Sequence, residues 1–136
     1  MSQVTNAFVA DAELLQELEV HSTPIALGED RVLFREGQVA TGVYIVRQGS
    51  AILTSGSNGE TVLTAEAGPG SLLGVPAVIG NKAYSLTAVA MPGAQLSVAS
   101  CEDFIDLMQS NPHFSFQLLK VLAEEVRFAR KVLTHF

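Results

Sequence analysis

The chain changes its hydrophobic rhythm twice. Between Asp11 and Leu18 the apolar Ala12, Leu14, Leu15 and Leu18 recur at helical spacing with acids between them, which predicts a short helix over 11–20 lying on another layer. From Ser22 to Ala99 the rhythm becomes that of short β-rich runs: Pro24 to Leu27, Arg31 to Phe34, Gly42 to Arg47, Ala51 to Ser55, Thr61 to Ala65, Ser71 to Leu73, Ser85 to Ala90 and Ala94 to Val98. Glycines stand at nearly every junction, several of them beside Asn, Asp, Ser or Pro. Closely and evenly spaced strands with permissive turns predict a mainly β fold, an eight-stranded antiparallel jelly-roll-like barrel over 22–99. Ser57-Asn58-Gly59 is the strongest hairpin turn in the chain.

From Ser100 to Phe136 the pattern is helical again. Ser100 with Asp103 three residues on reads as an N-cap with an acid in the first turn. Pro112 ends that helix after Asn111 and starts another. Along the second helix Leu119, Leu122, Val126, Ala129, Leu133 and Phe136 follow a 3-4-3-4-3 spacing, the seam of a coiled coil. Phe114, Leu118, Val121, Phe128 and Val132 run beside it. So wide an apolar arc predicts two burials, one against the barrel and one against a second copy in a homodimer.

Length and charge narrow the function. A chain of 136 residues predicts a single domain spanning 1–136, with C-terminal helices over 100–136 and no DNA-binding domain. Fourteen acids against eight bases give a net charge of -6, so direct nucleic-acid binding is not expected. No apolar run reaches the roughly 20 residues of a membrane span, and residues 1–10 lack a signal-peptide pattern, so a cytoplasmic protein is expected. Cys101 is the only cysteine, which excludes an internal disulfide and a cysteine-based metal site. His21, His113 and His135 fall in three different zones, with no His-x-His pair on a β run. Neither a metal, nor a cofactor, nor an enzymatic centre is expected from these residues.

The order of pieces and two motifs carry a resemblance. Val32-Leu33-Phe34-Arg35-Glu36-Gly37, followed by Gly42-Val43-Tyr44-Ile45-Val46-Arg47-Gln48-Gly49, closely resembles the cyclic nucleotide-binding domain family, which includes the effector domains of catabolite-activator-like bacterial regulators. The resemblance covers about Leu14 to Leu133. It implies that 70–90, containing Gly70-Ser71-Leu72-Leu73-Gly74-Val75-Pro76-Ala77 and Tyr84-Ser85, is the phosphate-binding cassette. In that family a glutamate holds the ribose and an arginine holds the phosphate. Here the two positions are Val75 and Tyr84.

A phosphate without its cation loses charge-assisted bonds worth about 1.5–3 kcal/mol each. Pro76 removes a further N–H donor from the cassette. The purine-capping positions fall near Ala129 and Arg130, without the expected hydroxyls. The candidate pocket is therefore Ile52, Leu73, Gly74, Val75, Pro76, Ala77, Tyr84, Ser85 and Arg130. The expectation is a non-enzymatic regulatory module that does not bind cAMP or cGMP tightly. An open pocket would take a small-molecule effector other than cAMP. The alternatives are a ligand-free dimerisation or scaffold protein whose pocket is plugged by its own side chains, and the N-terminal effector part of a longer transcription regulator.

Overall fold

The computed structural model describes residues 3–5, 12–27, 31–57, 60–80, 82–119 and 122–123. In chain order the elements are β1 (Gln3–Thr5), α1 (Ala12–Val20), β2 (Thr23–Pro24), β3 (Val32–Phe34), β4 (Gly42–Gln48), β5 (Ala51–Ser57), β6 (Glu60–Ala67), β7 (Leu72–Leu73), α2 (Val75–Gly80), β8 (Thr87–Ala90), β9 (Gln95–Ser100) and α3 (Cys101–Ser110). A further helix, α4, covers residues 112–119, and 122–123 are helical as well.

The strands pair into a five-stranded sheet of order β1-β6-β5-β8-β3 and a four-stranded sheet of order β2-β9-β4-β7. All pairings between these strands are antiparallel except β1 on β6. Each of the eight predicted strands has its counterpart. The β5–β6 hairpin brings Ser57 opposite Glu60, with the predicted turn residues 58 and 59 outside the described residues. The addition is β1, whose three residues carry no β-rich run of their own and which takes its bonds from the edge of β6.

Period-two alternation in the four-stranded sheet creates two cores. On β4, Val43 and Ile45 face a cluster that holds Leu14 and Leu18 of α1, Phe104 and Leu107 of α3, and Phe114 and Leu118 of α4. Val46 and Tyr44 face the opposite sheet, in a cluster with its Phe34 and Leu53 and with Leu96 of β9. The same parity divides β7, sending Leu72 to the helices and Leu73 into the sandwich. A strand buried on both faces reads as a continuous apolar run, which is why Gly42-Val43-Tyr44-Ile45-Val46 shows no polar alternation.

Local chemistry sets the helix boundaries. The Ser100 side chain accepts a hydrogen bond from the Asp103 N–H at 3.1 Å, and Glu102 and Asp103 lie in the first turn of α3. Asn111 closes α3 through its own N–H to the Leu107 carbonyl and opens α4 by accepting from the Phe114 N–H at 3.1 Å. Pro112 then stands at the first helical position, where its missing N–H has no partner to lose. Phe104 and Phe114 meet edge to face, centroids 5.6 Å apart, and lock α3 to α4. His113 Nε2 reaches Glu13 Oε2 at 2.6 Å and ties α4 to α1.

Candidate functional site

The segment after β7 turns on Gly74, whose φ of +92° is open to glycine and strained for any other residue. It continues into α2, and the chain returns through Tyr84 before entering β8. Leu73, Gly74, Pro76, Ala77, Tyr84 and Ser85, six of the nine candidate residues, line one cavity, joined by Phe34, Leu53 and Leu86. Its free volume is about 10 Å³, room for a single water at most.

Three candidates do not join them. Ile52 is half-buried, and its neighbour Leu53, 1% exposed, lines the cavity instead, because successive residues of β5 face opposite sides. Val75 is fully buried in the helix-facing core beside Val78, so the first residue of α2 points away from the cavity. Arg130 lies outside the described residues, as do Val126, Ala129, Leu133 and Phe136 of the dimer seam. Of the seam, Leu119 is 60% exposed, whereas Leu122 is half-buried against the helix-facing core.

Tyr84 fills the space between the cassette and the barrel. Its ring stacks on Phe34 with centroids 3.8 Å apart and planes 17° from parallel. Its hydroxyl accepts from the Thr41 N–H at 3.0 Å and the Gly42 N–H at 3.1 Å, and donates to the Gly42 carbonyl at 2.7 Å. The backbone is held as firmly: the Tyr84 N–H bonds the Gln38 carbonyl at 2.9 Å, and its carbonyl accepts from the Gly37 N–H at 2.8 Å. The residue is 2% exposed with every polar atom paired.

Among the described residues that line the cavity none carries a positive charge. Tyr84 is the one ionisable side chain among the described lining residues, and Ser85 supplies one exposed hydroxyl. Among the described residues no three His, Cys, Asp or Glu side chains gather at one point to hold a metal. No helix among them is long and apolar enough to cross a membrane. The reading of the sequence missed Phe34, Leu53 and Leu86. The parity of β5 pointed to Leu53, since Ala51 and Leu53 must share a face.

The family model for the cyclic nucleotide-binding domain matches residues 24–111, the barrel together with the cassette and α3. The chain belongs to this family. Within it, the solved structure of the Thermus thermophilus catabolite activator protein aligns with a TM-score of 0.75 at 23% identity, covering 96% of this chain and 62% of that one. The chain thus spans about three-fifths of that activator's length. A structure described under a cyclic-GMP-dependent signalling pathway that regulates bacterial phytopathogenesis aligns with a TM-score of 0.71 at 27% identity, over 88% and 96% of the two chains. A cyclic nucleotide-binding-like protein from Brucella abortus shares 30% identity over 71% of this chain and 84% of its own, with a TM-score of 0.57. No curated protein is a significant match by sequence.

Proposed function

We propose that this member of the cyclic nucleotide-binding domain family is a non-enzymatic cytoplasmic regulatory module whose pocket is closed by its own Tyr84, and that it works through self-association, not by taking up cAMP or cGMP. The observation that carries this reading is the Tyr84 hydroxyl. Two backbone N–H groups, of Thr41 and Gly42, are spent on it. The ring on Phe34 leaves about 10 Å³, whereas ligand pockets run to about 300 Å³ or more. A cyclic nucleotide would have to expel a buried, fully bonded tyrosine and would meet no cation among the described lining residues.

Self-association has its own support. Phe116 and Leu119, three residues apart on α4, are each 60% exposed, while Phe114 and Leu118 on the opposite face are 1% exposed. An exposed apolar pair at helical spacing, on the face of α4 away from the core, fits a second copy of the same helix. The catabolite-activator-like relatives supply the template of a longer regulator, and this chain as its effector part is the second reading that their length supports.

Calorimetric titration with cAMP and with cGMP tests the pocket. No binding tighter than about 10 µM, roughly -7 kcal/mol, is expected. A tighter constant for either nucleotide sinks the closed-pocket reading.

A further inference from the structure

On the outer side of the cassette, α2 and α3 enclose an open groove of about 330 Å³. Its floor is apolar: Ala77, Val78 and Ile79 come from α2, and Cys101 and Ile105 from α3. Its rim is acidic. Glu102 and Asp106 stand four residues apart on α3, one position round the helix from Cys101 and Ile105, so the same helix presents an apolar wall and a carboxylate edge above it. Among the described residues no basic side chain lines the groove. The wall continues through Ala40, whose carbonyl accepts the Cys101 thiol at 3.5 Å, and the next residue back, Val39, is 75% exposed.

The geometry points to a docking surface for a short amphipathic protein segment that carries apolar anchors flanked by lysine or arginine. Burial of aliphatic side chains on the Ile79 and Ile105 floor supplies the attraction, and the two carboxylates select the flanking charge. The volume suits one or two anchors at the lower end of the range for binding sites, about 300–1,000 Å³. Ala77 lines both this groove and the cavity beneath Tyr84, so the surface adjoins the cassette. The inference goes beyond the closed-pocket reading and stands without it. Cyclic nucleotide binding would remove that reading and leave the groove untouched, and failure of the groove leaves the closed pocket intact.

The test is selection of random displayed peptides of about 12 residues on the whole chain, followed by anisotropy titration of the enriched sequences. Enriched peptides are expected to carry aliphatic or aromatic residues at helical spacing with flanking lysine or arginine. The charge reversal Glu102→Lys with Asp106→Lys, at two exposed positions, should weaken them by about tenfold or more. Gln16→Lys with Glu17→Lys, a change of net charge of the same sign at two exposed positions of α1, should leave the affinity unchanged. Bound peptide should also slow alkylation of Cys101, the chain's single thiol. The proposal is overturned if no sequence is enriched, if the enriched ones are acidic or uncharged, if both double variants behave alike, or if Cys101 reacts at its free rate in the complex. It is equally overturned if reversing Glu102 and Asp106 changes the size of the protein's own assembly in native mass spectrometry, because a second copy then occupies the groove.

Discussion

A Cβ placed on Gly74 would stand 2.7 Å from Cε1 of Tyr84, closer than such atoms ever approach. The glycine at the head of the cassette is therefore fitted to the ring of the residue that closes it. Gly74→Ala meets two penalties, the tyrosine ring and a φ of +92°. The variant should lose about 1–3 kcal/mol in urea denaturation. Wild-type stability in Gly74→Ala would show that Tyr84 does not sit where the closed pocket requires.

Tyr84→Phe separates the ring from its hydroxyl. The stack on Phe34 survives, but the Thr41 N–H loses its 3.0 Å acceptor and the Gly42 carbonyl its 2.7 Å donor. Leaving buried groups unsatisfied costs about 1–3 kcal/mol, so a fall of that size in unfolding free energy is expected. Tyr84→Ala also removes the ring and should cost about 3–5 kcal/mol while opening a real cavity. If Tyr84→Phe unfolds at the wild-type denaturant concentration, the hydroxyl contributes nothing to holding the pocket shut.

Val75 matches the glutamate position of the family's cassette, and from the sequence alone Val75→Glu with Tyr84→Arg looks like a way to rebuild a nucleotide site. Its burial reverses that expectation. Val75 is 0% exposed among Val78, Val43, Ile45 and Phe104, in the core that faces the helices. A carboxylate there would be buried among apolar side chains, with no cation among the described residues of that core, so Val75→Glu should destabilise the fold by several kcal/mol, about 3–5 if an unpaired buried charge is the guide. The double variant should be unfolded or weakened and should show no cAMP binding by calorimetry. A stable double variant that binds cAMP would mean that the start of α2 turns to present residue 75 to the pocket.

Val75 and Ile52 also mark the limit of what the sequence discloses. Strand positions, helix caps and the family resemblance all rest on local pattern, and Ser100, Pro112 and the Gly42–Val46 run each carry their own physical signature. Which way a side chain points depends on phase. In β5 the phase was readable, because alternation puts Leu53 inward once Ala51 is inward. In α2, six residues long and preceded by a glycine with positive φ, no pattern extends far enough to fix the rotation. The Tyr84 to Gly42 bond spans 42 residues and has no local signal at all. Likewise β1, three residues borrowing the edge of β6, is defined by its partner alone.

The predicted seam began with Leu119 and Leu122, but Leu122 leans on the chain's own core, and the apolar side chains left in water are Phe116 and Leu119. The exposed apolar pair of α4 is thus Phe116 and Leu119, in place of the predicted Leu119 and Leu122. Burying Phe116 and Leu119 on both copies contributes several kcal/mol, at about 1.5–3 kcal/mol for a fully buried side chain. Phe116→Glu with Leu119→Glu places like charges across the twofold axis at two positions that are each 60% exposed in the protomer. Light scattering should report a dimer for the wild type and a monomer for the double variant, with circular dichroism unchanged between them. A wild type that is already monomeric at tens of micromolar, or a double variant that remains dimeric, would take α4 out of the association surface and leave self-association without its structural support.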